Sequence, residues 1–442
     1  MVDRRSVLAG GLVLAGCAAT GQTPPGTTAA RPFIRRDGMR LIQGDRPYRF
    51  AGANLWYAAW LGADAPYGDR ARLSRELDRL KAAGVTNLRI MASAEEGPLN
   101  NSIKPGFRTA NADYNETMLA GLDWAMAEIA RRGMTAVLCL TNFWEWSGGL
   151  MTYLSYVGEP WIDMGDPKHP WPEFPNSNSR FYGNARAVAL YHAYVRAVVT
   201  RTNRVTGKPY RDDPAVMAWQ LCNEPRPAGD LAHAKLPDFY GWVDGTARLI
   251  KSLDANHLVS TGSEGLKGSL EQTDIVRTEH AFDSIDYLTV HVWPNNWTWV
   301  DQKDLPGTYA RGETLVEDYV RKHIAIARDL NKPMVIEEFG YPRDGGSNDP
   351  KASIVYKDRF YQLLHRLALA DAQSGGPTAG TNFWAWNGEA RTKNADWRFH
   401  PGDLQYMGDP PHEPQGWYGV FDTDASTLAL VAAQARAMQA IG

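Results

Sequence analysis

The chain has 442 residues, 44% hydrophobic and 22% charged, a balance that suits a globular protein with a large core and excludes disorder beyond the ends. Its 47 basic and 50 acidic residues give a net charge of −3 with no Lys/Arg stripe, which argues against nucleic acid as a partner. Three cysteines cannot build a disulfide framework, and the ten histidines show no metal-ligand spacing, so no metal and no cofactor is expected. The 16 Trp and 19 Tyr are the anomaly. Several crowd together among Asn, Pro and Gly, where a flat apolar face with one N–H donor suits the binding of sugar rings.

Residues 1–17 read as an export signal: Arg4-Arg5 precede an apolar stretch too short to span a bilayer, as in twin-arginine export. Leu14-Ala15-Gly16-Cys17 resembles a bacterial lipobox, in which Cys17 would be lipidated. Residues 18–32 are rich in Thr, Gly, Pro and Ala and read as a flexible tether. The expected location is therefore the cell envelope, as a periplasmic or outer-membrane lipoprotein, or the medium if secreted. The lipid is the only expected contact with a membrane.

From residue 33 to 442 no linker or charge block marks a boundary, and a single catalytic domain is expected. Residues 33–50 form short strands around Asp37-Gly38 and Gly44-Asp45, a hairpin leading into the body of the fold. Apolar strand-like runs then start near residues 50, 85, 135, 215, 257, 285, 333 and 380. Helical patterns at 69–83, 113–132, 185–204, 238–253, 313–330, 353–370 and 427–441 alternate with them. Such alternation implies parallel strands joined by crossovers. An open doubly wound sheet shares this pattern, but no glycine-rich phosphate loop follows the first strand, whereas polar residues recur at strand ends. The fold class expected is thus α/β, a (β/α)8 TIM barrel with long βα loops at its C-terminal face.

In a barrel those strand ends converge on one site. The run from Ala215 to Cys222 is apolar and stops at Asn223-Glu224-Pro225, where proline cannot continue the ladder. Pro333-Met334-Val335-Ile336-Glu337-Glu338-Phe339-Gly340 repeats the design. Two glutamates on facing strand ends are what glycoside hydrolysis needs, one to protonate the leaving oxygen and one to attack the anomeric carbon. Because successive strand residues face opposite sides, only one of Glu337 and Glu338 is expected to point into the barrel.

Together with Arg89, His291 and Trp384 at other strand ends, these motifs resemble glycoside hydrolase family 5. Trp219 to Arg226, Lys332 to Gly340 and Thr141-Asn142-Phe143-Trp144-Glu145-Trp146 resemble its endo-β-1,4-mannanase branch. The resemblance implies a retaining, double-displacement hydrolase of β-mannan or mannooligosaccharides, acting as a monomer, with Glu224 as acid/base and Glu338 as nucleophile. Arg89 would orient Glu338 and keep it ionised, while burial and the charge of Glu338 would raise the pKa of Glu224. Asn223 would bind the sugar 2-hydroxyl, and Asn142, His291, Trp293, Trp384 and Trp144 would line the substrate site. Trp146, Trp297 and Trp417 are weaker candidates for further subsites. The family often carries Tyr where this chain has Trp293, which leaves open what orients Glu338 on that side. A β-1,4-glucanase of the same family is the alternative; a non-catalytic glycan-binding barrel has no need of both carboxylates.

Overall fold

A computed structural model describes residues 31–441; the export signal, Cys17 and all of the tether but its last two residues lie outside the described residues. Three short strands, β1 (Ile34–Asp37), β2 (Arg40–Gln43) and β3 (Arg46–Pro47), form an antiparallel meander turning at Gly38 and Gly44, both with positive φ. The expected hairpin thus has a third strand.

Eight parallel strands follow: β4 (Phe50–Asn54), β5 (Asn87–Met91), β6 (Thr135–Cys139), β7 (Val216–Gln220), β8 (Leu258–Ser260), β9 (Leu288–Val292), β10 (Met334–Phe339) and β11 (Thr378–Phe383). Their order in the sheet is β8-β7-β6-β5-β4-β11-β10-β9, and a parallel bridge between Ser260 and Tyr287 joins its two edges. The sheet closes into a (β/α)8 barrel. Every residue of these strands is buried, because helices cover the outer face while the barrel interior covers the other. The meander plugs the bottom: Ile34, Leu41 and Tyr48 pack with Phe50, Val137, Met217, Leu258 and Val335, and the Tyr48 hydroxyl lies 2.7 Å from Thr135 Oγ1.

The crossover helices sit where the apolar periodicity predicts, with shifted ends. The helix expected at 313–330 spans Leu305–Asp329: Asp304 caps it by accepting from the Gly307 N–H, and a proline occupies its first turn. The helix Thr273–Ala281 is absent from the sequence reading because its buried face includes Glu279 and His280 beside Ile275 and Val276, which breaks the apolar stripe. The two long segments at the C-terminal face are also more ordered than loops. The first holds helices Gly149–Tyr156 and Glu173–Asn178; the second holds β12 (Trp386–Gly388) paired with β13 (Val420–Phe421). Among the described residues no helix is long and apolar enough to cross a membrane.

Candidate active site

Glu224 lies just past β7 in a left-handed conformation, φ +51, costly for a residue with a Cβ. Its N–H donates to the carbonyl of Gly262, 2.9 Å away beyond β8. Gly262 has φ +80, and a Cβ there would fall 1.9 Å from the Cys222 carbonyl, so only glycine allows the two strand ends to approach this way. The turn presents the Glu224 carboxyl over the barrel mouth.

Glu337 and Glu338 depart from simple alternation. The register of β10 against β9 shifts between Ile336 and Glu338, a β-bulge, and both carboxylates reach the barrel interior. The expectation that only one points inward is therefore corrected. Their surroundings differ. Glu337 accepts from the Gln220 amide at 2.6 Å and lies 3.6 Å from Arg89 Nε, beneath the cleft. Glu338 lines the cleft and receives a short hydrogen bond from Arg89 Nη1. Arg89 spends its other donors on Gln220 Oε1 at 2.8 Å, Asn54 Oδ1 at 3.2 Å and Asn223 Oδ1 at 2.7 Å. Burial works against its charge, but Glu338 and Glu337 together raise its pKa further.

His291 is fully buried between the acids. Its Nδ1 is 2.6 Å from Glu224 Oε1 and 3.2 Å from Glu338 Oε2, and one ligand atom from each of the three groups lies within 4.8 Å of the others. Such a trio has the spacing of a cation site, and the Arg89 guanidinium places a fixed positive charge beside Glu338. Burial pushes the His291 pKa down; the charge of Glu338 and the hydrogen bonds that the imidazole donates to the glutamates lift it well above the ordinary value. Burial would also raise Glu224, yet the hydrogen bond and charge of His291, with Arg226 and the Trp144 indole, bring it down to about 2. The expected rise of the Glu224 pKa is thus reversed in direction, and its carboxyl titrates together with the imidazole as a coupled pair.

The cleft above these groups is about 400 Å³ and is lined by Trp144, Trp146, Trp293, Trp297 and Trp384 among others. The Trp144 indole N–H donates to Glu224 Oε2 at 2.5 Å, and the guanidinium of Arg226 lies 4.9 Å from the Trp144 ring centre. Trp293 packs edge-on against Trp384 and Tyr418, over Gly340, where a Cβ would come within 2.6 Å of the indole. It makes no hydrogen bond to Glu338. Arg89 and His291 are what hold that carboxylate, which answers the question left by the missing tyrosine.

Three of the expected site residues act one layer below the substrate. Asn142 accepts from Asn223 Nδ2 at 3.0 Å and from the Trp144 N–H at 3.0 Å, and donates to Ser147 at 3.0 Å, so it positions its neighbours. Arg89 and His291 are buried against the carboxylates. Asn223 does reach the cleft, its amide orientation set by Arg89. Trp417 does not line the cleft but a neighbouring cavity.

Other cleft residues have no role that the sequence motifs imply. Arg226 pairs with Glu264, whose carboxyl is lifted to about 7 because burial, aided by the Glu224 charge, outweighs that pairing. His412 and Glu413, far along an irregular segment, wall one side of the cleft. Burial, then the charges of Asp409, Glu338 and Glu224, raises the Glu413 carboxyl well above its ordinary value.

The family described as GH family 5 beta-mannosidase-like matches residues 31–442. The chain is 31% identical over 396 residues to mannan endo-1,4-beta-mannosidase 4 of Oryza sativa, covering 84% of this chain and 77% of that one. Among solved structures it is similar to a glycoside hydrolase family 5 mannosidase from Rhizomucor miehei, with 33% identity, a TM-score of 0.82, and coverage of 92% and 98% of the two chains. A single-site variant of that enzyme was solved in complex with mannosyl-fructose, at 32% identity, a TM-score of 0.81 and the same coverage. An endo-1,4-beta-mannanase from the same organism shares the fold at 20% identity and a TM-score of 0.65, with coverage of 92% and 99%. The chain belongs to the β-mannosidase-like branch of glycoside hydrolase family 5.

Proposed function

We propose that this chain is a retaining glycoside hydrolase that cleaves β-1,4-mannosidic bonds in mannans or mannooligosaccharides, with Glu338 as nucleophile and Glu224 as acid/base. The observation that carries the mechanism is the closeness of two buried carboxylates, with oxygens within 4.8 Å, one clamped by Arg89 and the other sharing a proton with His291. Retaining sites place their carboxyl groups roughly 5–5.5 Å apart, whereas inverting sites leave room for a water between them. In the first step a Glu338 oxygen bonds to the anomeric carbon as the glycosidic bond breaks. The leaving oxygen takes the proton of the Glu224–His291 pair, delivered by Glu224. In the second step water gives its proton to Glu224 and its oxygen to the anomeric carbon, releasing Glu338 as carboxylate.

The mannosidic substrate rests on the family and on the names its relatives bear. Two features support a preference for short chains: Met164 and Trp171 from one long segment, and Pro410, His412 and Glu413 from the other, wall the cleft. Proton NMR of early products tests the reading: β-mannose configuration is expected first, and α-configured product appearing first overturns it. Rates on mannan, mannooligosaccharides and cellulose decide against or for the glucanase alternative. We also propose that the chain is exported and anchored in the cell envelope through Cys17, from Leu14-Ala15-Gly16-Cys17 and the tether that follows.

A further inference from the structure

Trp144 lies beyond β6, just ahead of the 3₁₀ turn Glu145–Ser147, and that turn is clasped from two sides. Asn142, which accepts from the Trp144 backbone N–H, also accepts from Asn223, the neighbour of Glu224. On the other side the Glu95 N–H donates to the Ser147 carbonyl and Glu95 Oε2 accepts from the Gly149 N–H, both at 2.9 Å. Between them a Cβ on Gly148 would fall 1.9 Å from the Glu95 carbonyl oxygen. The course of residues 142–149 is therefore fixed.

The indole is held as firmly as its backbone. Its ring packs edge-on against Phe143 and nearly parallel to Trp171 and Phe174, with centres 5.4, 6.4 and 6.4 Å away. The Arg226 guanidinium lies 4.9 Å from the Trp144 ring and 5.9 Å from that of Trp171, and it is ion-paired with Glu264. The flat of the indole is thus shared with protein groups, while its N–H edge is turned to Glu224 and donates to Oε2 at 2.5 Å. An indole donates and never accepts, so this bond favours the ionised carboxyl and adds no titrating group of its own. A cation over the ring draws electron density from the N–H and strengthens the donation. Oε1 faces His291, so each oxygen of Glu224 has its own partner.

We propose that Trp144 is a positioning residue for the acid/base: its indole N–H fixes Oε2 of Glu224, and Arg226, paired with Glu264, holds the indole in that pose. The proposal rests on the function proposed above. Because the bond favours the carboxylate, a protonated Glu224 gives its proton to the leaving oxygen more readily, and in the second step the carboxyl keeps its orientation toward water. The titratable and charged groups that face Glu224 are His291, Glu338 and Arg89 from the barrel strands, Cys222 and Arg226 from its own segment, Glu264 past β8, and Glu413 from the segment after β11. Trp144→Phe leaves all of them in place and keeps an aromatic face, removing only the N–H.

The test measures kcat and KM against pH for the parent, Trp144→Phe and Arg226→Met on β-1,4-mannotriose and on a dinitrophenyl β-mannoside. In Trp144→Phe the alkaline limb is expected to move up by about one pH unit. Its kcat should fall about tenfold on mannotriose and change less than about twofold on the activated aryl mannoside. Arg226→Met should move the limb in the same direction. A limb that stays in place in Trp144→Phe, or a change confined to KM, assigns the indole to sugar contact alone and overturns the proposal. A limb that moves in Trp144→Phe but not in Arg226→Met overturns the part given to Arg226. Should Trp144→Phe not fold, the limb of Arg226→Met decides. A parent inert on both substrates overturns the proposed function instead. NMR titration of the His291 imidazole then still decides the role of the indole: a higher midpoint in Trp144→Phe supports it, and an equal midpoint rejects it.

Discussion

His291 Nδ1 stands 2.6 Å from Glu224 Oε1, and this contact makes the two residues a single titrating unit. Relative to ordinary values of 4.5 and 6.5, the Glu224 pKa is pulled down to about 2 and the His291 pKa is pushed well up. Stability from Glu224 is present above 4.5 and is lost as the pH falls toward 2. Stability from His291 is present below 6.5 and is lost as the pH rises through its raised value. The melting-temperature gap between the parent and His291→Gln should therefore be widest between pH 4.5 and 6.5. A gap independent of pH would show that the pair is not coupled. The alkaline limb of kcat/KM, set by loss of the shared proton, should also move in this variant.

Glu338, not Glu337, is expected to form the covalent intermediate, since Glu338 lines the cleft while Glu337 accepts from Gln220 beneath it. Glu338→Ala should lose ~10³-fold or more in kcat, and azide should restore turnover with a glycosyl azide of inverted configuration. Azide rescue in Glu337→Ala instead would reverse the assignment.

Glu224→Ala should cost on the order of 10²–10⁴ in rate with poor leaving groups and much less with activated aryl mannosides, which need no protonation. A similar loss on both would assign Glu224 a role other than proton donor.

The wall beside the cleft depends on Asp409. Its carboxylate accepts from the N–H groups of Gly416 at 2.9 Å, Tyr418 at 2.7 Å and Gly419 at 3.0 Å. Lys357 Nζ donates to the carbonyls of Tyr418 at 3.0 Å and Gly419 at 3.1 Å. Asp409→Ala strands buried N–H groups at ~1–3 kcal/mol each, so a lower melting temperature is expected. With the wall intact, kcat/KM should level off at a chain length of about four sugars, as a small cleft offers few contacts. In Asp409→Ala the plateau should shift to longer chains. A steady rise through long chains in the parent would indicate an open cleft.

Cys17→Ser should abolish membrane association, and a chain starting near Arg31 should stay active in solution. Intact-mass measurement of an unmodified mature terminus would remove the lipoprotein proposal.

Strand and helix alternation, polar residues at the strand ends and the lack of a glycine-rich loop after the first strand pointed to the barrel, and the resemblance carried by Asn223-Glu224-Pro225 and Glu338-Phe339-Gly340 assigned Glu224 and Glu338 to its mouth. These are local signals: burial on both faces forces apolar strands, and proline stops a ladder. Three things depended on the tertiary structure. The bulge in β10 turned both Glu337 and Glu338 inward, because register against β9 is a property of two strands and not of one. The direction of the Glu224 pKa hung on a 2.6 Å contact with a histidine on another strand, and a competition between burial and a nearby charge is decided by distance. The parts played by His412 and Glu413 were illegible for the same reason, and Trp417, legible only as a weaker subsite candidate, lines a neighbouring cavity: all three lie in an irregular segment whose course is set by Asp409 and Lys357, partners that no spacing along the chain reveals.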